Sequence, residues 1–561
     1  MLRHFFCIAI AMFIFCLSSM CQVIPPATNV VPVRIAPKPR AAAAKPQNSY
    51  PKLIIGLVVD QMRWDFLYRF NNLYSADGFR RLMKEGYSCE NTMIPYVPTY
   101  TAPGHTCIYT GSVPAIHGIV GNNWYNSSAK KKVYCTDDDT AQTVGSSTKA
   151  GKMSPANLWA TTITDELRLS NNFQSKVIGI GLKDRGAILP AGHTANAAYW
   201  YDDKVGKWIT SNYYSNKLPT WVNDFNDKDW PSFYMAKDWT TLLSTDKYGQ
   251  SSPDYADYED TIKGEGSVIF PHKLSQIKTD KLEAFKTTPF ASTYTFDFAK
   301  VAIENEELGK NSVPDFLTVS ISSTDYIGHT FGPNSVETED AYLRLDKDIV
   351  SFLQYLDRKF GKGNYLFFLT ADHGVAHVPG FMKQHKIPAG ALDDKDIEEA
   401  MNKAVEQKFQ INKGIAKVMN YQIYLSDAAK EKGEEIKKFI IQELKKENAV
   451  STAFDLEELA ETTLAQPLKE RIANGYASSR SGDIQFVFKP GYFDGRPKGT
   501  THGLWNPYDA HIPLLFFGWK VKSGKLLRET YMTDIAPTLA AMLQIQMPSG
   551  CVGHVIPEVI K

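Results

Sequence analysis

The stretch Leu53-Ile54-Ile55-Gly56-Leu57-Val58-Val59 is apolar throughout and gives way at once to Asp60. An unbroken run of this length suits a strand covered on both faces, as in a parallel sheet; a strand with one wet face would alternate. The same pattern recurs at Val177 to Leu182 before Lys183-Asp184-Arg185, and at Phe316 to Ile321 before Ser322-Ser323-Thr324-Asp325. A fourth run, Tyr365 to Thr370, ends just before Asp372-His373. Tyr342, Leu345, Ile349, Phe352, Leu353 and Leu356 recur at helical spacing and predict a helix with one core-facing side. Strands alternating with helices predict an α/β fold, a central and largely parallel sheet flanked by helices on both faces. Polar residues gather after each strand, at the carboxyl ends where open α/β sheets bind ligands.

Two stretches break this rhythm and read as cap insertions, one near residues 195 to 290, dense in Trp, Tyr, Asp and Ser, and one near 380 to 495. The second carries a charged tract from Asp427 to Glu447 that reads as a solvated helix face. Insertions of this kind rim a site. At the other end, Arg3 and His4 precede an apolar run from Phe5 to Leu17, a secretory signal peptide over residues 1 to 21 with cleavage near Gln22. The run is shorter than the roughly 20 residues of a membrane span. An uncleaved anchor is one alternative; a lipid on Cys21 is another, weakened by Met20 in place of a small residue. Residues 22 to 50, rich in Pro and Ala, read as a tether, and the folded domain is expected over 51 to 561. The expected product is exported to the periplasm or the extracellular space, with no stable membrane insertion.

The 62 Lys and Arg residues balance 61 Asp and Glu, so no electrostatic platform for nucleic acid or an anionic membrane is expected. A monomer is expected, since no exposed apolar stripe stands out. Of the seven cysteines, Cys89, Cys107, Cys135 and Cys551 remain after cleavage. Export permits disulfides, and Cys89 with Cys135 is the expected pair, with Cys107 a buried thiol.

The chemistry begins at Pro98-Thr99-Tyr100-Thr101-Ala102-Pro103-Gly104-His105-Thr106. Pro103 suits the first turn of a helix and places a threonine hydroxyl at its start, either a plain N-cap or a nucleophile beside an anion-favouring helix end. Phosphate ester hydrolysis needs charge neutralisation, a nucleophile and help for the leaving oxygen, which two metal ions about 4 Å apart supply. Candidate ligands are Asp60, Asp325 with His329 one helical turn later, Asp372 with His373, and His502 in Gly499-Thr500-Thr501-His502-Gly503.

Together with Thr101 these residues resemble the alkaline phosphatase superfamily. The run from Thr110-Gly111-Ser112 to Gly121-Asn122-Asn123-Trp124 is similar to the segment that brings an asparagine amide to phosphate in the superfamily's pyrophosphatase-like branch. Ser323-Thr324-Asp325-Tyr326-Ile327-Gly328-His329 and Thr370-Ala371-Asp372-His373-Gly374 resemble that branch's metal motifs. Lys183-Asp184-Arg185 resembles the Lys-x-Arg motif of the phosphate-irrepressible alkaline phosphatases of Bacteroidetes type. The resemblance implies two zinc ions, one on Asp60, Thr101, Asp372 and His373, the other on Asp325, His329 and His502. It implies Thr101 as the nucleophile of a phosphothreonine intermediate, with Asn122, Lys183 and Arg185 on the phosphoryl oxygens. It also implies that Lys183 replaces the charge of a third, magnesium ion. The substrates so implied are small-molecule phosphate monoesters. Thr99 and Thr106 compete as nucleophile, Asn123 competes with Asn122, and His105, His117, His193, His377 and His385 are expected outside the ligand set. The alternatives are a phosphodiesterase or nucleotide pyrophosphatase of the same superfamily, which would read a second ester group, and an exported phosphate-binding protein with a degenerate site.

Overall fold

The computed structural model describes residues 49 to 561, so the expected signal peptide and all but the end of the tether lie outside the described residues. Each apolar run is a strand buried along its length. In chain order the strands that matter here are β1 (Leu53–Val59), β2 (Tyr87–Met93), β3 (Val177–Gly181), β4 (Ala197–Asp202), β5 (Lys207–Ser211), β6 (Asp315–Ile321), β7 (Tyr365–Thr370) and β8 (His511–Gly518). All belong to one 11-stranded sheet. Within it β7, β1, β6, β3 and β4 are parallel neighbours in that order. β8 runs antiparallel to β7 and β2, and β5 turns back on β4. This order decides where the site lies: the residues after β7, β1, β6 and β3 emerge side by side at one edge, about 4.8 Å apart per strand.

Four helices bear on that edge, α1 (Thr101–Thr110), α2 (Asp184–Ala191), α3 (Ser323–Phe331) and α4 (Val336–Phe360). α4 is the helix expected from periodicity, and all six of the apolar positions that predicted it are buried. Ser335 caps it by accepting the Thr338 N–H at 3.1 Å, a contact of about 1 kcal/mol.

The stretch from residue 195, expected as a cap, begins with β4 and β5, which extend the main sheet. Part of its aromatic density is core: Trp208 stacks on Phe298 with ring centroids 4.3 Å apart, and Tyr199 meets Trp221 edge to face. The stretch near 380 to 495 does carry its own four-stranded sheet, built from Ile415–Met419, Gln422–Leu425, Ile484–Phe488 and Val450–Asp455. Its charged tract is amphipathic, with Ile436, Ile440 and Leu444 in a second core beside Val405 and Phe486.

The expected Cys89–Cys135 disulfide is not formed, and all four cysteines of the described residues are free. Cys89 lies on β2 in the main core, whereas Cys135 packs with Ala102, Trp124 and Leu158 in a separate cluster. Cys107 is buried, as expected for a thiol acting as a small apolar side chain.

Candidate active site

Asp372 and His373 follow β7, Asp60 follows β1, Asp325 opens α3 after β6, and Lys183 follows β3. Ligand atoms of Asp60, Asp372 and His373 lie within 4.8 Å of one another, and so do those of Asp325, His373 and His502. His329 joins the second group through Nε2, 3.1 Å from Asp325 Oδ1. Six of the seven expected ligands therefore meet, with one difference from the expected partition: His373 is shared between the groups, its ring stacked on His502 at 3.4 Å.

The imidazoles are oriented for ligation. Nδ1 of His373, His329 and His502 each donates to a backbone carbonyl, of Gly374 at 3.0 Å, Thr500 at 2.8 Å and Thr99 at 2.7 Å. A carbonyl can only accept, so the proton is on Nδ1 and the Nε2 lone pair faces the site. Burial pulls His373 and His502 below the ordinary imidazole range, keeping them neutral. Burial opposes protonation of His329 too, but Asp325 raises it.

The carboxylates are placed to accept a cation. Asp60 Oδ1 and Asp372 Oδ2 are buried without a hydrogen-bond partner, an expensive state unless an ion takes their lone pairs. Burial, then the charges of Asp325 and Asp372, hold Asp60 well above the usual carboxylate range. Burial also opposes ionisation of Asp325 and Asp372. His329 and Lys183 nevertheless hold the first well below its ordinary value, and His373 and His105 lower the second. Buried mixed N and O donors with orphaned oxygens fit divalent transition metal ions such as zinc.

Lys183 Nζ lies 2.6 Å from Asp60 Oδ2 and 2.6 Å from Asp325 Oδ2, bridging the two groups. Burial would lower it, but those two aspartates hold it above its ordinary value, so it is a fixed cation. Arg185 does not join the cluster; its Nη1 donates to Tyr134 Oη at 3.0 Å, and it lines a cleft of about 330 Å³ with Lys183, Lys286 and Tyr326.

Thr101 opens α1, but it is not the cap. The N-cap is Tyr100, and no side chain caps the helix through its own hydrogen bond there. The Thr101 hydroxyl makes one contact, 3.4 Å to His373 Nε2. Its rivals are committed elsewhere: Thr99 Oγ1 donates to Leu504 O at 2.9 Å, and Thr106 Oγ1 to Ala102 O at 2.7 Å. Asn122 Oδ1 accepts the Ala102 N–H at 2.9 Å, which places its amide beside Thr101 and leaves its NH2 group for another acceptor. Asn123 begins the next strand instead.

Gln61 escaped the sequence reading, and His105 entered it only as a histidine outside the ligand set. Gln61 donates its backbone N–H to Asp372 Oδ1 at 3.1 Å and its amide to Asp325 Oδ1 at 2.8 Å, from a left-handed backbone at φ 66°. Strain of that kind gathers at functional sites. The Gln61 Oε1 also explains Gly328, where a Cβ would come within 1.9 Å of it. His105 is buried between the Thr101 carbonyl, Ser320 Oγ and Asp372 Oδ2, at 3.0, 2.9 and 3.2 Å. Its position one turn after Thr101 was the available signal. The other histidines lie outside the cluster. His117 Nδ1 accepts the Ile119 N–H at 3.1 Å, and burial lowers its pKa to about 3. His193 contacts Asp165, His377 contacts Asn334, and His385 the Phe381 carbonyl.

A model of the type I phosphodiesterase/nucleotide pyrophosphatase family matches residues 54–509. Alkaline phosphatase PhoV of Synechococcus elongatus is 50% identical, across 91% of this chain and 93% of that protein. Alkaline phosphatase PafA of Elizabethkingia meningoseptica is also 50% identical, across 91% of this chain and 94% of that protein. A crystal structure of alkaline phosphatase PafA superposes with a TM-score of 0.89, covering 91% of this chain and 99% of the other. A protein of Myroides odoratus named a calcium-transporting ATPase is 52% identical, across 93% of this chain and 97% of that protein. No helix among the described residues is long and apolar enough to cross a membrane.

Proposed function

We propose that this chain, which belongs to the type I phosphodiesterase/nucleotide pyrophosphatase family, is an alkaline phosphatase that hydrolyses phosphate monoesters to an alcohol and inorganic phosphate. The observation that carries the reading is the buried Lys183, which bridges Asp60 and Asp325 and shares a cleft with Arg185. Fixed cations of this kind favour the dianionic oxygens of a monoester over the single charge of a diester. Similarity to two alkaline phosphatases over nine-tenths of the chain supports the same choice.

Asp60, Asp372 and His373 would hold one zinc ion with Thr101, and Asp325, His329 and His502 the other, with His373 close to both. Bound there, the ions would supply the positive charge that lets the threonine hydroxyl lose its proton and that balances the leaving oxygen. Thr101 Oγ attacks phosphorus, the ester P–O bond breaks and the alcohol departs, leaving phosphothreonine. Water then cleaves the Thr101 ester and frees phosphate. Asn122 binds a non-bridging oxygen through its NH2 group while its own oxygen stays on the Ala102 N–H. Arg185 binds through its planar fork. Lys183 supplies the charge that a third ion would otherwise bring, so no magnesium is needed. The transition state for such transfer is loose, so positioning and electrostatics carry the rate. We place the enzyme outside the cytoplasm on the strength of its N-terminal residues 1 to 21, and expect a monomer because no exposed apolar stripe stands out in the sequence.

Thr101→Ala tests the mechanism: metal content and stability should be nearly retained while phosphate release falls to background. Unchanged release would overturn the covalent route.

A further inference from the structure

Asn122 and Arg185 come from distant parts of the chain, yet one hairpin touches both. Its strands, Asn123–Asn126 and Lys131–Tyr134, pair antiparallel with Asn123 opposite Tyr134. The next rung closes the base, where the Cys135 N–H donates to the Asn122 carbonyl at 3.0 Å. From the outside, Asn420 Nδ2 holds the Asn123 carbonyl at 2.8 Å. At the other end of that rung, Tyr134 reaches the Lys183-Asp184-Arg185 segment. Arg185 Nη1 donates to Tyr134 Oη at 3.0 Å, and the phenol donates to Asp184 Oδ1 at 2.9 Å. Asp184 Oδ2 in turn accepts from Thr136 Oγ1 at 2.5 Å.

The direction of these bonds matters. A carboxylate can only accept, so Asp184 draws the phenol proton to itself and turns the Tyr134 oxygen lone pairs toward the guanidinium. An arginine side chain otherwise has on the order of 2 kcal/mol of rotamer entropy to lose on binding. Arg185 Nε is buried without a partner, so little besides this phenol fixes the fork. The middle residue of Lys183-Asp184-Arg185 thereby gains a purpose: it is the anchor of the arginine's anchor.

We infer that Tyr134, oriented by Asp184, is a positioning residue that fixes the Arg185 guanidinium at the spacing from Asn122 which a phosphoryl group requires. The inference rests on the reading of Arg185 as a phosphate ligand. One hairpin base then sets both ends of the oxygen-binding arc, and Tyr134 acts through Arg185 without touching substrate.

The test is a double-mutant cycle of Tyr134→Phe and Arg185→Ala on the metal-loaded enzyme, reading kcat/KM for a monoester and a diester with the same leaving group. Tyr134→Phe keeps the ring and should cost the monoester about tenfold, the loss of one hydrogen bond to a charged group. The diester should lose at most about twofold, because it has less need of Arg185. In the Arg185→Ala background Tyr134→Phe should add nothing. Equal losses on both esters, or losses that multiply across the cycle, overturn the inference as a merely structural effect. A loss from Arg185→Ala with none from Tyr134→Phe overturns the inference alone, whereas a harmless Arg185→Ala overturns it and the reading beneath it. Should Tyr134→Phe fold poorly, Asp184→Asn answers the same question, since it frees the phenol proton. About threefold loss that vanishes in Arg185→Ala supports the inference, and a loss that persists there refutes it.

Discussion

Replacing Lys183 with Met keeps the apolar stem and removes the cation between Asp60 and Asp325. The three side chains are 3%, 0% and 4% exposed, so water cannot take over the charge. One carboxylate of the cluster must then take up a proton. At about 1.4 kcal/mol per pH unit, across the roughly three units separating an ordinary carboxylate from pH 7, this costs about 4 kcal/mol. That agrees with the ~3–5 kcal/mol typical of a broken buried pair. For a chain of this length, at about 2 cal/mol/K per residue, the metal-free variant should melt roughly 3–5 °C below metal-free wild type. The sign with pH follows from linkage. The extra proton makes a folded-state carboxylate pKa higher than the unfolded one, so the deficit is small near pH 4 and grows as pH rises. Scanning fluorimetry of both metal-free proteins between pH 4.5 and 7.5 reads this directly. Added zinc should close most of the gap in melting temperature while monoester turnover stays low. Equal melting temperatures at pH 7, or a gap independent of pH, would refute the charge-bridging role.

Two further outcomes follow from the packing. At Gly104 a Cβ would lie 2.4 Å from the Asp372 carbonyl and 2.7 Å from its Cβ, so Gly104→Ala should push α1 off the β7 end. About 1–3 kcal/mol of stability and at least about tenfold in kcat should be lost, by chemical denaturation and steady-state kinetics, and a fully active variant would show the approach is not needed. Away from the site, burial, then Glu337 and Asp254, push the Glu259 pKa up to about 10. Nearby, burial pulls His272 down, but hydrogen bonds to Glu265 and Glu337 outweigh it and raise its pKa to about 9. Both groups bind protons more tightly folded than unfolded, so the stability they confer is complete below their ordinary values and is lost as pH climbs toward 9 and 10. Glu259→Gln, which needs no proton, should flatten the fall in unfolding free energy between pH 6 and 10, and parallel curves for the two proteins would refute the assignment.

The strands, their parallel order of burial and the ligand types were legible because apolar runs and the residues just after them obey local rules. Asp60, Lys183, Asp325 and Asp372 meet because β1, β3, β6 and β7 are adjacent, and the shared carboxyl-end position of their motifs hinted at that. The sharing of His373 was not legible, since it depends on how its ring stacks on His502, a residue 129 positions later in the chain. Gln61 was hidden because its positive φ is imposed by the fold around it, and Tyr134 because a hydrogen bond across 51 residues leaves no local pattern. The aromatic stretch after residue 195 was ambiguous for a physical reason: dense Trp and Tyr serve a cap rim and an aromatic core equally well, and here Tyr199, Trp200, Tyr201 and Trp208 are buried on β4 and β5 while Trp200 and Tyr201 also line the cleft with Arg185. The Cys89–Cys135 expectation failed because export permits disulfides without requiring them, and the two thiols lie in different cores.

The most direct test of the account is the ratio of kcat/KM for a phosphate monoester to that for a diester with the same leaving group, on one sample whose zinc content is measured. The bridging Lys183 and the anchored Arg185 predict about two zinc ions per chain and a strong monoester preference, of at least about a hundredfold for two charge-assisted contacts. A diester preference on zinc-replete protein would contradict it.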